Sequence, residues 1–403
     1  MEHEKLIELL NQILKLMSQE KASDLYIKAG AQPSLRIEGD LVPVNIEPFT
    51  PEMVEDLALG IMPGYQKAPF QNKPEANFMY NLPEIGRFRV NVYRQRGTLA
   101  MVMRKIRDDV EDIETLGLPK VLKDLVMLKR GLILLTGPTG SGKSTTLAAM
   151  IDYRNANAPG HIITIEDPIE FLHKDMRSIV SQREVGTDTM SFADALENAV
   201  RQAPDVLLIG EMRDVASVQA AVHLAETGHL VLSTLHSNNA TQTVERVLQF
   251  FPSEIHEQIL KQLALNLKAV ISQRLVMRKD EKGRVPAIEI MIGNARIQDL
   301  LNKAELTQIK RELDVFQPEG MQSFDYALLE LYKNDIITAE VAMRNSDNPN
   351  DMRLKIKTLP VYIRSSSRED ERYQDGAYVE PRERERQRAA EAGEPTGEPA
   401  GEK

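Results

Sequence analysis

The sequence predicts an α/β protein with two α/β domains, a helical C-terminal part and a disordered tail. Three observations predict this fold class. Short apolar runs alternate with helical stretches from Gly131 to Ile292, which is the pattern of a parallel sheet covered on both faces. Strand and hairpin signals precede that region, and a long polar segment follows it. The chain has 403 residues, enough for two or three domains.

The composition excludes several kinds of site and partner. The chain has no Cys, which excludes disulfides, thiolate zinc sites, iron–sulfur clusters and cysteine nucleophiles. Its formal net charge of -10 argues against nucleic acid as the main partner. The acidic start at Glu2 and the lack of a long apolar run fit neither a signal peptide nor a membrane-spanning helix. We therefore expect a cytoplasmic protein.

The first predicted domain covers residues 1–106. It opens with an amphipathic helix, since apolar residues recur at helical spacing from Leu6 to Met17. Two strand signals around Gly39 predict a hairpin. Apolar and polar residues alternate through residues 87–92, and a further strand is predicted over Leu99–Ile106.

The second predicted domain follows an acidic linker, residues 107–119, and covers residues 120–292. Its four short apolar strands are expected at residues 132–135, 162–165, 206–209 and 230–232. Residues 293–364 are predicted to form a helical subdomain. The tail, residues 365–403, contains no Leu, Ile, Met or Phe. It cannot bury enough apolar surface to offset its ordering entropy, so it is predicted to be disordered.

A glycine-rich motif at residues 137–144 matches the phosphate-loop pattern G-x-x-x-x-G-K-[ST]. A predicted strand enters it and a helix expected to begin near Thr145 leaves it. In such loops the glycines let backbone N–H groups surround phosphate oxygens, Lys143 reaches the β- and γ-phosphates, and Ser144 ligates Mg²⁺. The predicted nucleotide-binding residues are Gly137, Pro138, Thr139, Gly140, Ser141, Gly142, Lys143, Ser144 and Thr145. The alternative is a glycine-rich turn without a ligand.

Two acidic segments follow predicted strands. Glu166, Asp167 and Glu170 come after one strand, at the sheet edge where open α/β folds bind ligands. They are candidates to orient and deprotonate an attacking water or to hold the water shell of a metal. The alternative is that Asp167 and Glu170 merely cap the next turn. Glu211 follows another strand, with Gly210 where the second nucleotide-binding motif usually has Asp. We expect Glu211 to bind Mg²⁺ through water, with a solvated acid as the alternative.

Two histidines, His229 and His236, flank a predicted strand. They lack the spacing of a metal site and have no Cys partner. A structural role or a role in sensing the γ-phosphate fits them better, and a satisfied core histidine is the simplest alternative for each.

Five arginines are concentrated near the end of the first domain: Arg87, Arg89, Arg94, Arg96 and Arg104. Such a group is usually a solvated sheet face. The alternative is that one or two of them reach a nucleotide on a neighbouring subunit as arginine fingers, which requires an oligomer. Strand alternation places Arg87 and Arg89 on the same face.

Five motifs together carry a family resemblance. They are Gly137–Thr146, Thr164–Phe171, Gln182–Val185, Pro204–Asp214 and Ala225–His236. With these motifs the chain resembles the type IV pilus retraction ATPases of the PilT/PilU family, within the type II/IV secretion ATPases. The similarity extends from about Leu6 to Ile363, which leaves only the tail outside it. No Asn-Lys-x-Asp sequence for guanine recognition is present, so a GTPase is disfavoured.

The resemblance implies an ATP- and Mg²⁺-dependent motor that forms a homohexameric ring. Its N-terminal domain would be PAS-like and its second domain RecA-like. By the same resemblance, Glu170 is the catalytic glutamate, Glu211 the atypical Walker B acid, and His229 and His236 form the histidine box. The family's trans-acting arginines correspond best to Arg89 and Arg104. The implied partner is the inner-membrane platform protein of the pilus machine, which would hold a cytoplasmic motor peripherally at the inner membrane.

Within the family, several segments resemble the PilU branch. They are Gln202–Asp205, His236–Ala240, Phe250–Pro252 and Asn350–Lys357. Arg296–Lys303 departs from the family's retraction signature Ala-Ile-Arg-Asn-Leu-Ile-Arg-Glu. We therefore expect a motor that assists retraction together with a PilT-like partner. The alternative is a nucleotide-binding structural or adaptor subunit that couples a partner motor without doing work itself.

Overall fold

The computed structural model describes residues 3–37, 39–315 and 320–359. The predicted disorder of the tail concerns residues outside this part of the chain. The helices are α1 (His3–Gln19), α2 (Pro51–Ile61), α3 (Gly64–Asn72), α4 (Val121–Val126), α5 (Lys143–Asn157), α6 (Phe192–Ala199), α7 (Val215–Glu226), α8 (Ala240–Gln249), α9 (His256–Asn266), α10 (Ala295–Asn302), α11 (Leu306–Val315), α12 (Phe324–Lys333), α13 (Ala339–Asn345) and α14 (Pro349–Thr358). None of these helices is long and apolar enough to cross a bilayer.

The strands form two sheets. They are β1 (Asp24–Lys28), β2 (Ser34–Ile37), β3 (Asp40–Pro43), β4 (Glu75–Leu82), β5 (Gly86–Gln95), β6 (Thr98–Lys105), β7 (Gly131–Thr136), β8 (Gly160–Glu166), β9 (Ser178–Glu184), β10 (Val206–Ile209), β11 (Leu230–Leu235), β12 (Leu267–Met277) and β13 (Arg284–Ile292). The strand orders are β3-β2-β1-β6-β5-β4 and β13-β12-β7-β11-β10-β8-β9. The predicted α/β class with two sheets is confirmed.

The first sheet is antiparallel and packs on α1 and α2 through a shared apolar core. The predicted helix and hairpin are both present, and α1 buries its apolar stripe. In β5, Phe88, Val90 and Val92 are completely buried, whereas Arg87 and Arg89 on the opposite face are only partly covered. The alternation in the sequence therefore indicated correctly which face of β5 is core.

The second sheet is parallel from β12 through β7, β11, β10 and β8 to β9. Both faces are covered, because alternate residues of β7 enter two different apolar cores. Leu132 and Leu134 belong to one core, and Ile133 and Leu135 to the other. The carboxyl ends of β7, β8, β10 and β11 lie at one edge as a consequence, and the chemical motifs follow these strands.

The described chain forms two compact units. The first contains the described residues of Met1–Arg274 and of Ile288–Gln322, and the second contains Leu275–Ala287 with the described residues from Ser323 onward. The boundary predicted at residues 292/293 does not coincide with this division, because α10 and α11 bury Ile297 and Ile309 in a core of the parallel sheet. In the predicted linker, Ile113 and Leu118 are likewise buried in the other core.

Candidate nucleotide-binding site

The phosphate loop joins β7, which is buried along its whole length, to α5. Helix α5 begins at Lys143, rather than near Thr145 as predicted, and Gly142 precedes it with φ +90. A Cβ atom on Gly137 would lie 2.3 Å from the carbonyl oxygen of Gln273. Positive φ and this close approach make glycine necessary at these two positions. The loop therefore places backbone N–H groups at the N-terminus of α5, as phosphate binding requires.

Lys143 is partly buried at the first position of α5. Its ammonium donates to the carbonyl oxygens of Gly137 and Pro138 at 2.9 and 3.1 Å. Burial lowers the pKa of Lys143, and the carboxylates of Glu211 and Glu170 partly oppose that shift. The predicted lysine thus lies within electrostatic range of each of the two predicted glutamates.

Polar groups of the loop fit a triphosphate and its cation. The Ser141 hydroxyl is 3% exposed and has no hydrogen-bond partner in the described part of the chain. A buried hydroxyl without a partner is costly, and a phosphate oxygen would satisfy it. Ser144 and Thr145 lie in the first turn of α5 and are partly buried. The hydroxyl of Ser144 and the carboxylate of Glu211 are hard oxygen donors of the kind that Mg²⁺ prefers.

Glu211 is held from both sides in the loop after β10. Arg213 Nε donates to its Oε2 at 2.7 Å, and Nε2 of His236 lies 3.2 Å from its Oε1. Arg213 also pairs with Asp167 Oδ2 at 3.1 Å through its Nη1. The hydrogen bond to Glu211 is the main reason that the pKa of Arg213 is raised. One guanidinium and one imidazole therefore connect the loops that follow β8, β10 and β11.

The three carboxylates at and after the end of β8 have three different environments. Burial raises the pKa of Glu166, despite hydrogen bonds from Thr164 and Gln182. Asp167 is exposed and paired with Arg213. Glu170 is exposed, and its charge acts on Lys143 and Arg104. Glu170 is thus the member of this group that interacts electrostatically with both the phosphate-loop lysine and an arginine of the first sheet.

The two predicted histidines lie at opposite ends of β11. His236 follows the carboxyl end, beside Glu211. His229 precedes Leu230, which is in register with Gly131 at the start of β7, and its Nδ1 lies 3.1 Å from the carbonyl oxygen of Leu224. A strand of six residues spans about 20 Å. Within one chain, His229 therefore lies at the end of β11 that is away from the phosphate loop, and its contact with nucleotide stays a prediction.

Arg89 and Arg104 are directly opposite each other on β5 and β6. Arg104 Nε contacts Oδ1 of Asp24 at 2.7 Å, and this hydrogen bond raises the pKa of Arg104. The Arg104 side chain is 67% exposed, whereas that of Asp24 is 3% exposed. The carboxylate of Glu170 in the same chain also favours the charged form of Arg104. A role of either arginine on a neighbouring subunit stays a prediction.

Sequence reasoning gave no role to Arg213, which joins two of the predicted carboxylates. The available signal was its position, two residues after Glu211 at the carboxyl edge of a parallel sheet. The link to Asp167 could not be read from the sequence, since 46 residues separate the two.

Comparison with known proteins gives consistent results. The profile of the type II/IV secretion system protein family matches residues 1–326. The type IV pilus ATPase PilU of Pseudomonas aeruginosa is 47% identical over 345 residues, which cover 86% of this chain and 90% of that protein. The type IV pilus retraction ATPase PilT of the same organism is 40% identical over 342 residues, covering 85% and 99% of the two chains.

Solved structures extend the similarity to the fold. The crystal structure of the pilus retraction motor PilT with bound ADP aligns with a TM-score of 0.80 and 42% identity, covering 85% of this chain and 98% of PilT. The ATPase DotB of Legionella pneumophila aligns with a TM-score of 0.73 and 25% identity, covering 83% and 94%. The two-sheet architecture described above is therefore shared with these ATPases.

Proposed function

Because the chain belongs to the type II/IV secretion system protein family and is similar to its PilT and PilU members, we propose that it is an ATP-hydrolysing motor that assists type IV pilus retraction. The observation that carries this proposal is the shared sheet edge. The phosphate loop with Lys143, the Glu211–Arg213–His236 group and Glu170 all lie at the carboxyl ends of neighbouring parallel strands. ATP hydrolysis needs these groups together.

In the proposed reaction, residues 137–145 hold the phosphates of ATP through backbone N–H groups and the Lys143 ammonium. Mg²⁺, when bound, neutralises phosphate charge and polarises the bonds of the terminal phosphoryl group. Ser144 and Glu211 would hold it, Glu211 through a water molecule. Glu170 would orient the attacking water and accept its proton.

The proposed assembly is a homohexameric ring at the cytoplasmic face of the inner membrane. There it would act with a PilT-like retraction ATPase and contact the inner-membrane platform protein of the pilus machine. The names of the relatives support this setting, since they are a pilus ATPase, a retraction ATPase and a twitching motility protein. Arg89 or Arg104 would complete the site of a neighbouring subunit.

The substitution Glu211→Gln tests the proposed activity. It removes a negative charge while keeping a side chain of the same size, so ATP hydrolysis should fall at least about 100-fold while ATP still binds. Lys143→Ala should lose ATP binding itself. Glu197→Gln, at an exposed acid on α6, is the matched control and should hydrolyse ATP like the wild type. Undiminished hydrolysis by Glu211→Gln would contradict the assignment.

A cellular comparison separates the motor from the adaptor alternative. Cells that contain a PilT-like partner are supplied with either wild-type protein or Lys143→Ala, and pilus retraction is measured. If the protein is a motor, only the wild-type protein should assist retraction. Equal assistance by both proteins would instead favour an adaptor that couples the partner without hydrolysing ATP.

A further inference from the structure

The segment that carries Glu170 has almost no regular structure. Between β8 and β9, only Phe171 takes part in a β-bridge, an isolated one with Arg107. The N–H and C=O groups of such a segment still need partners where they are buried. Ile169 and Phe171, the residues on either side of Glu170, are 3% and 7% exposed. Two side chains of the neighbouring strand β9 supply those partners.

The first of these side chains is the amide of Gln182. Its Nε2 donates to the carbonyl oxygen of Phe171 at 2.8 Å, and its Oε1 accepts from the backbone N–H of His173 at 2.8 Å. A side-chain amide thus makes both hydrogen bonds that a neighbouring strand would otherwise make. The chain is fixed immediately after Glu170.

The second side chain is the carboxylate of Glu184. It is 8% exposed, and its Oε2 accepts from the backbone N–H of Ile169 at 3.1 Å. A hydrogen bond from Thr187 Oγ1 at 3.3 Å holds its other oxygen. The chain is therefore fixed immediately before Glu170 as well, by a charge-assisted bond that is stronger than a neutral one.

The Glu170 side chain is exposed, so packing does not fix its direction. Its position depends on its own backbone, which Glu184 holds on one side and Gln182 on the other. Gln182 Nε2 also lies 3.4 Å from Oε1 of Glu166, at the end of β8. These groups belong to the segments Thr164–Phe171 and Gln182–Val185, which neighbour each other because β8 and β9 pair in parallel.

We propose that Gln182 and Glu184 are positioning residues that hold Glu170 in place for the attack on the γ-phosphate. The proposal deepens the proposed function and rests on it. A displacement of about 1 Å in a reacting group costs about 100-fold in rate. Losing one of the two contacts should therefore slow the chemical step and leave nucleotide binding intact, since neither side chain belongs to the phosphate loop.

The test compares purified Gln182→Ala, Glu184→Ala and Glu184→Gln with the wild type, measuring kcat, KM and ATP affinity. We expect roughly 10- to 100-fold lower kcat for both alanine variants, with ATP affinity within about twofold of the wild type. Glu184→Gln keeps an oxygen that accepts from Ile169 N–H and should restore most of kcat. Ser181→Ala is the matched control, because Ser181 lies on β9 and contacts His161 instead of the Glu170 segment.

Hydrogen exchange at the amides of Ile169 and Glu170 gives a readout that does not depend on activity. Exchange should be faster in Glu184→Ala than in the wild type and unchanged in Ser181→Ala. Wild-type kcat in both alanine variants would overturn the proposal, as would equal losses of ATP affinity and kcat. A wild-type protein that hydrolyses no ATP would instead overturn the proposed function.

Discussion

Glu211 forms a solvent-accessible ion pair with Arg213 in the loop after β10. Both of its carboxylate oxygens are engaged, by Arg213 and by His236. Because Arg213 is 52% exposed, solvent screens the pair and it contributes at most about 1 kcal/mol to folding. Its main consequence is geometric, since the same guanidinium also binds Asp167 and so fixes Glu211 relative to the loop after β8.

Arg213→Gln should therefore reduce turnover much more than stability. We expect kcat to fall by about 10-fold and the melting temperature to change by no more than about 2 °C. Steady-state kinetics and thermal melting measure the two effects. Arg246→Gln, at an exposed arginine on α8 that contacts Gln249, is the control and should change neither. An unaltered kcat in Arg213→Gln would show that this contact does not orient Glu211.

Glu166 predicts a pH dependence whose sign follows from its burial. Its pKa is raised in the folded protein, so the folded state binds the proton more tightly than the unfolded state. Glu166 stabilises the fold most at pH values below about 4.5, its pKa in the unfolded state. That contribution is lost as the pH rises through the higher pKa that Glu166 has in the folded protein. Glu166→Gln should thus melt higher than the wild type at pH 8, with the difference shrinking toward pH 4.5. A constant difference would contradict this account, and Glu197→Gln provides the exposed-acid control.

At the scale of the residue, local motifs indicated which residues belong to the candidate site. They did not indicate which side-chain contacts join those residues. Lys143 was expected at the site from the phosphate-loop motif. Glu170, Glu211 and His236 were expected there from their positions after predicted strands and from the family resemblance. The link from Arg213 to Asp167 and the links from Gln182 and Glu184 to the Glu170 segment join residues far apart in sequence. The strand β11 separates His229 from His236, so the predicted nucleotide contact of His229 stays a prediction.

At the scale of the element, one buried carboxylate, Asp24, links two strands of the first sheet through an ion pair. Asp24 on β1 is in register with Arg104 on β6, and Arg104 is in turn in register with Arg89 on β5. Only Arg104 forms the ion pair with Asp24. The two arginines that the family resemblance groups together therefore differ in their structural role.

Arg104→Ala and Arg89→Ala form a matched pair. Arg104→Ala leaves Asp24 buried without the guanidinium that pairs with it, and should lower the free energy of unfolding by about 1 kcal/mol. The expected loss is small because the Arg104 side chain is well exposed. Arg89→Ala should lower it by less than about 0.5 kcal/mol. Chemical denaturation of both variants measures the difference. Equal losses would mean that the ion pair with Asp24 contributes nothing to stability.

Periodicity predicted most of the elements, because helices and strands with one buried face repeat at 3.6 and 2 residues. The hairpin, the core face of β5 and the four central strands of the parallel sheet are examples. Boundaries were less accurate, as the start of α5 shows. The order of the strands could not be predicted, since pairing between distant segments has no local signature.

At the scale of the whole molecule, the parallel sheet explains why scattered motifs form one site. Residues 137–145, 167–170 and 211–213 are far apart in the chain, yet each segment follows a strand that ends at the same edge. The relation of this edge to a neighbouring subunit could not be predicted from periodicity. The family resemblance alone suggests that the subunits assemble into a hexameric ring.

The most direct test of the central claim is ATP hydrolysis by the purified wild-type protein, measured together with its molecular mass over a range of protein concentrations. Addition of a PilT-like partner is a second arm of the same measurement. We expect Mg²⁺-dependent hydrolysis that rises as the protein assembles into a hexamer, because in the proposed ring a neighbouring subunit would supply an arginine to each site. A protein that hydrolyses no ATP at any concentration, alone or with the partner, would contradict the account.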